Sequence, residues 1–179
     1  PTMALSEDRW VYARGRRVYT RFHHPAPGEQ RPVLIFFHGG GWVWSSVDTH
    51  DRLVRELATA AGYAAINVDY SLSPEAKFPA ALLECAEVVR CVAETAEEWD
   101  IDPRYIVIGG DSAGGNLAIG TAIALRDMGV LETPKAGASA VTTPPLQAGS
   151  VCPECGNPTV IHKDGCDFCT ACGYVGQCG

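Results

Sequence analysis

Apolar and polar positions along the first two thirds of the chain alternate between two rhythms. Arg9 to Ala13 and Arg16 to Phe22 are rich in Val, Tyr, Thr and Phe with Gly15 between them, which predicts two antiparallel strands. His23-His24-Pro25-Ala26-Pro27-Gly28 reads as a turn. Pro32 to Phe37 is an unbroken apolar run, as expected of a strand covered on both faces. Leu53, Val54, Leu57, Ala58 and Ala61 then recur at helical spacing, with Gly62 as a stop. Tyr63 to Asp69 predicts a second buried strand, and Ala80 to about Glu98 a long helix with Leu82, Cys85, Ala86, Val89, Val92 and Ala96 inward. Asp102-Pro103 reads as a break, Tyr105 to Ile108 as a third buried strand, and Ala113 to Met128 as a helix ended by Gly129. Strands alternating with helices predict an α/β fold with a mostly parallel sheet and helices on both faces.

The alternation then stops. Residues 132–150 are Pro-, Gly-, Ala- and Thr-rich and read as a linker, which divides the chain into 1–131, 132–150 and 151–179. Composition sharpens this division. Of 179 residues, 46% are hydrophobic and 20% charged, enough apolar material for a core and outside the disordered and fibrous classes. The formal charge of −7 argues against nucleic acid and anionic membranes as partners. No apolar run reaches the roughly 20 residues of a membrane span, and Pro1 to Asp8 does not resemble a signal peptide, so the expected compartment is the cytoplasm. Six of the eight cysteines fall within 144–179, so the last segment is a different kind of object.

Two motifs stand at the ends of predicted strands. Gly110-Asp111-Ser112-Ala113-Gly114 follows the third buried strand and opens a helix. A serine on such a tight turn has its hydroxyl lifted above the sheet, the flanking glycines avoid collisions, and the helix N-terminus can stabilise negative charge. His38-Gly39-Gly40-Gly41-Trp42 follows the first buried strand, and its consecutive glycines let backbone N–H groups turn toward a developing oxyanion.

From about Val33 to Met128 the chain resembles the hormone-sensitive-lipase group of α/β-hydrolase esterases, whose HGGGW and GDSAGG motifs these are. Val68 to Glu75 is similar to the group's D-Y-x-L-x-P-E segment, and Phe78-Pro79-Ala80-Ala81 and Gly115-Asn116-Leu117 also fit. The resemblance implies hydrolysis of small carboxylic esters through an acyl-enzyme, with no cofactor. Ser112 would be the nucleophile, Gly40, Gly41 and the Ala113 amide the oxyanion hole, and His38 with Gly39 would shape the loop.

A hydrolase of this fold places its acid and histidine after the serine. The sole histidine after Ser112 is His162, inside the cysteine-rich segment, and the formal acid candidates are Asp127, a surface charge near a helix end, with Asp164 and Asp167 in tail loops. His23, His24 and His50 precede the serine and are expected at the surface or beside the site mouth. The hydrolase part therefore reads as truncated and its catalysis as impaired. Its third strand is expected to be an exposed edge open to self-association.

In the tail, Cys152-Pro153-Glu154-Cys155-Gly156 and Cys169-Thr170-Ala171-Cys172-Gly173 are two C-x-x-C-G knuckles, the ligand spacing of a tetrahedral Zn2+ site. A disulfide framework is the other use of such cysteines. Cys166 and Cys178 are left over as candidate redox thiols, although Cys166 also has the spacing to exchange with Cys169 as a ligand. Cys85 and Cys91 read as bystanders on one helix. The stretch from Val151 to Tyr174 resembles the C-terminal end of adenosylcobalamin-dependent ribonucleotide reductases, which implies a zinc-ribbon-like thiol-relay tail without the reductase body. The expectation is thus an ester hydrolase, or a remnant of one, on a partial sheet with a small zinc-ribbon-like tail. The alternatives are a non-catalytic zinc-binding or thiol-relay module on that remnant, or a chimera of two unrelated gene products.

Overall fold

A β-hairpin opens the computed structural model, which describes residues 1–13, 15–129, 152–154, 160–163, 166–169 and 175–178. Strand β1 (Leu5–Ala13) pairs antiparallel with β2 (Arg16–His24), and β2 pairs antiparallel with β4 (Ala64–Asp69). Strand β3 (Arg31–Phe37) lies parallel between β4 and β5 (Ile101–Gly110), so the sheet order is β1-β2-β4-β3-β5. The helices are α1 (Val47–Ala61), α2 (Ala80–Glu94) and α3 (Ala113–Asp127).

Strand periodicity sorts the core into two layers. Val33, Ile35, Phe37, Ala64, Ile66 and Val68 face α2 and α3, where they meet Cys85, Val88, Val89, Val92, Leu117 and Leu125. The alternate residues Leu34, Phe36 and Ala65 face α1 and form a smaller cluster with Val54, Ala58 and Met3. The predicted two-sided cover is present, but α1 contributes less to it than its apolar spacing suggests. Of the expected stripe only Val54 and Ala58 are buried; Leu53 is 40% exposed, Leu57 42% exposed and Ala61 exposed. A helix lying on a sheet touches it along one narrow line, and side chains a quarter-turn away stay in solvent.

Other boundaries move for identifiable reasons. The β1–β2 hairpin extends to pair Leu5 with His24, so His23 and His24 belong to a strand rather than to a turn, and both are buried. The second helix stops at Glu94, and one 3-10 turn, Ala96–Trp99, carries the chain to Asp100 in the left-handed region. Asp102-Pro103 does not break β5; the register jumps there, from Arg31 opposite Ile101 to Val33 opposite Ile106, so the proline is taken up as an irregularity within the strand. Strand β5 is one edge of the sheet, β1 the other: Ile106 and Ile108 of β5 pack inward while Tyr105 and Val107 are exposed.

The chain divides into two compact units, Pro1–Thr133 and Pro134–Gly179. In the second, β6 (Val160–Lys163), β7 (Cys166–Cys169) and β8 (Val175–Cys178) form an antiparallel sheet in that order. Cys166 stands opposite Cys178, and Cys169 opposite Val160. Cys152 is buried and followed by a turn at Pro153 and Glu154. The linker predicted over 132–150, Asp164, and the candidate ligands Cys155 and Cys172 lie outside the described residues. Among the described residues no group of three or more His, Cys, Asp or Glu side chains is placed to hold a metal, and no helix is long and apolar enough to cross a membrane.

Candidate active site

The serine motif forms a sharp turn between β5 and α3. Ser112 sits at φ 50° and ψ −118°, a left-handed conformation that a residue with a side chain adopts only when its surroundings hold it there. Packing supplies the force. A Cβ at Gly114 would run into the carbonyl oxygen of Phe37, so the first turn of α3 lies directly on the end of β3. Gly114 N and Gly115 N donate to the Asp111 carbonyl, and Ser112 itself remains exposed with α3 beginning immediately behind it. The positive end of the α3 dipole is therefore beside the hydroxyl.

The glycine loop lies against this turn. Gly39 N donates a 2.8 Å hydrogen bond to Asp111 Oδ1, which ties the loop to the residue preceding the serine. Gly40 has φ 123°, and a Cβ there would meet the carbonyl oxygen of Trp44, so the loop folds tightly enough to exclude any side chain at this position. Trp44 N and Val43 N both donate to the Gly40 carbonyl, leaving the loop closed on itself. On the outer side, Ser73 N donates to the Trp42 carbonyl at 2.8 Å.

His38 is fully buried under this loop. Its ring stacks on Tyr70 with centroids 4.4 Å apart and planes at 16°, and Tyr70 OH donates to the His38 carbonyl at 2.6 Å. A carbonyl only accepts, so the 2.8 Å contact from His38 Nδ1 to the Gly39 oxygen puts the ring proton on Nδ1. Burial pushes the His38 pKa below its ordinary value, which keeps the ring neutral at neutral pH. The same burial pushes the Tyr70 hydroxyl upward, so it stays a donor.

Of the histidines expected at the surface or beside the site mouth, His23 and His24 are at neither. His24 is consumed structurally: Nε2 donates to the Asp100 carbonyl at 3.1 Å and Nδ1 accepts from Ala26 N. His23 lies 2.8 Å from Ser6 Oγ through Nδ1 and 3.2 Å from Asp51 Oδ1 through Nε2, and burial lowers its pKa. Neither is at the surface, because both belong to β2 beneath the first helix and the 96–100 turn. His50 does come to the site. In the first turn of α1, its Nε2 is 3.2 Å from Asp111 Oδ1, and its ring lies 5.7 Å from that of His38. Its partner belongs to a different βα unit, so no local pattern announces the contact; the one available signal is that His50 opens the helix that follows the glycine loop. Asp127 is at the exposed end of α3, paired with Arg126.

Beside the loop is a cavity of about 360 Å3 between the start of α2 and α3, lined by Gly41, Trp42, Phe78, Leu82, Leu117 and Gly120 among others. A strained serine at a helix N-terminus, a glycine loop bonded to the adjacent aspartate and an apolar cavity on the flank make up one site built from three βα units.

A family model described as alpha/beta hydrolase fold matches residues 34–162, from the first parallel strand through both motifs. The chain belongs to this family. Among curated proteins the chain is similar to acetyl esterases of Salmonella schwarzengrund and Salmonella agona, each 42% identical over 110 residues, a stretch that is 62% of this chain and 34% of theirs. Among solved structures, a hyperthermophilic esterase from the archaeon Pyrobaculum calidifontis is 41% identical with a TM-score of 0.70, covering 72% of this chain and 41% of the esterase. A thermophilic carboxylesterase from a metagenomic library is 36% identical with a TM-score of 0.70, covering 72% of this chain and 44% of that one. The chain thus spans about a third of the length of the curated relatives it matches. Its homologues are esterases, and its sheet is the partial, mixed sheet of the α/β-hydrolase fold.

Proposed function

We propose that the first unit carries the nucleophile and oxyanion elements of a carboxylic-ester hydrolase acting on a small ester. The observation that carries this reading is the hydrogen bond from Gly39 N to Asp111 Oδ1, which holds the glycine loop against the strained Ser112 turn. Ser112 Oγ would attack the ester carbonyl, and the electron pair driven onto its oxygen would be met by the N–H groups of Gly40, Gly41 and Ala113. Collapse would expel the alcohol and leave an acyl-enzyme for water to cleave. His38 serves this reading as a brace, because its Nδ1 proton is already committed to the Gly39 carbonyl.

Acylation by this chain is expected to be slow. Among the described residues no histidine with a supporting acid is recorded against Ser112, since His38 braces the loop and His50 faces Asp111. Without a positioned base, attack loses orders of magnitude while the oxyanion donors retain part of the rate enhancement. The test is covalent labelling with a fluorophosphonate, read by intact mass. The expected result is a slow adduct at Ser112 that disappears in Ser112→Ala; an equal signal from both proteins would overturn the assignment.

For the second unit we propose one Zn2+ held by Cys152, Cys155, Cys169 and Cys172, with Cys166 and Cys178 as the remaining thiols. The spacing of the two knuckles supports this. About one zinc per chain is expected by metal analysis of protein prepared without chelator, and none would remove the proposal. Self-association through the exposed β5 edge is proposed on its uncovered Tyr105 and Val107 and is read by sedimentation.

A further inference from the structure

Strand periodicity puts a second polar cluster on the face of the sheet that α1 covers. Leu5 packs into the larger core, so Ser6 and Asp8 point to the opposite side of β1, where His23 and Arg21 of β2 stand directly across from them. Asp8 pairs with Arg21 at 2.9 Å, and Ser6 Oγ lies 2.8 Å from His23 Nδ1. From α1, Asp51 Oδ1 comes within 3.2 Å of His23 Nε2 and 3.7 Å of Arg21, while Arg55, one turn on, holds the other carboxylate oxygen. His23 is 1% exposed, at a position between sheet and helix where an apolar side chain would be buried without penalty. Its Nε2 completes no hydrogen bond of good geometry and has only the Asp51 carboxylate beside it. A carboxylate only accepts, so the ring proton sits on Nε2 toward Asp51, and the Nδ1 lone pair receives the hydroxyl proton of Ser6. Ser6 itself is exposed. It opens onto a cavity of about 430 Å3 that also presents His23, Asp51, Arg21 and Arg55, and that shares no residue with the cavity beside the glycine loop.

We propose that Ser6 is a second nucleophilic serine of this protein, with His23 as its base and Asp51 as the residue that positions the ring, and that it accepts acyl groups from small activated carboxylic esters. A hydroxyl within hydrogen-bond reach of a base, itself oriented by a third group, is the arrangement that activates a serine, whatever the order of the three along the chain. Burial lowers the His23 pKa, and Arg55 and Arg21 act in the same direction against the pull of Asp51, so the ring is neutral at pH 7 and able to take a proton. In the step, Ser6 Oγ forms a bond to the ester carbonyl carbon as its proton passes to His23 Nδ1. The electron pair pushed onto the carbonyl oxygen returns, the carbon–oxygen bond to the alcohol breaks, and His23 gives the proton to the departing alkoxide. Arg21 and Arg55 put positive charge on the cavity wall, where it meets the charge developing on the carbonyl oxygen.

The experiment treats the full chain with a fluorophosphonate and, separately, with p-nitrophenyl acetate, and maps the adducts after trypsin digestion. Ser6 falls in the peptide that ends at Arg9, and Ser112 in the peptide from Tyr105 to Arg126, so the two sites are read apart. One phosphonyl group, with loss of fluoride, and one acetyl group are expected on Ser6, and both should persist in Ser112→Ala. His23→Gln should slow the Ser6 reaction on the order of 100-fold, the share of a general base. Asp51→Asn should slow it as well, because the ring loses the acceptor that fixes its proton on Nε2. Folding of each variant is checked by thermal circular dichroism, and Asp51→Asn carries the test should His23→Gln not fold. An unlabelled Ser6 in the folded wild-type chain, or a Ser6 rate unchanged in either folded variant, would overturn the proposal. A phosphonyl adduct without an acetyl adduct would overturn the assignment to carboxylic esters. The proposal does not rest on the esterase reading of Ser112: failure at Ser6 leaves that reading standing, and failure at Ser112 leaves this one.

Discussion

Asp111→Ala removes the group that joins the two motif-bearing loops. Asp111 Oδ1 accepts from Gly39 N at 2.8 Å and lies 3.2 Å from His50 Nε2. A hydrogen bond to a charged acceptor contributes roughly 1.5–3 kcal/mol, and its loss also leaves the Gly39 N–H without a partner. The Asp111 side chain is 46% exposed, so water can replace part of what is lost. The expected destabilisation is therefore about 1–2 kcal/mol, a Tm lower by about 3–6 °C for a chain of this length. Asp111→Asn keeps an acceptor oxygen and is expected to cost less than about 1 kcal/mol. Urea unfolding followed by far-ultraviolet circular dichroism at pH 8 measures both, with the slope checked for constancy. If Asp111→Ala unfolds at the wild-type urea concentration, or if Asn is as damaging as Ala, the tether does not hold the loops together in the way argued above.

The asymmetry of α1 is testable by paired truncations: Val54→Ala, at a fully buried position, should cost about 2 kcal/mol, whereas Leu53→Ala, on the same helix but 40% exposed, should cost about 0.5 kcal/mol. Equal costs would mean that the exposed stripe is packed in solution. Acidification should also destabilise the first unit within pH 5.5–7.5. His23 and His38 have folded pKa values lowered from 6.5 by burial, so below 6.5 the unfolded chain binds protons that the folded chain refuses, and stability falls as pH falls. The urea midpoint at pH 5.5 should lie below that at pH 7.5, and His23→Gln should flatten the dependence; a midpoint that stays level or rises on acidification would refute the burial argument.

Much of this fold is written in local pattern. The apolar runs at 32–37 and 63–69 and the glycine stop at 62 are one-dimensional signals, because a strand covered on both faces has no polar position to spare. The serine turn is equally legible. Only glycine fits where Gly114 meets the Phe37 carbonyl, so the steric demand of the site is spelled out in residue type. Chemistry that depends on contacts within a few residues, such as the proton of His38 held by Gly39, lies within reach of that kind of signal.

What only the tertiary structure decided is which distant groups meet. His50 reaching Asp111, Tyr70 stacking under His38, and His23 and His24 lying buried in β2 rather than in a turn all follow from strand register and helix placement. The same is true of the exposure of Leu53 and Leu57, whose spacing is that of a buried stripe, and of the irregularity that absorbs Asp102-Pro103 into β5. The physical reason is common to all of them. Periodicity records which face of an element is apolar, whereas burial and pairing depend on the width and position of whatever packs against that face. By itself the sequence determined the elements and the turn that presents Ser112. Packing decided which histidine stands at that turn, and which residues line the cavity beside it.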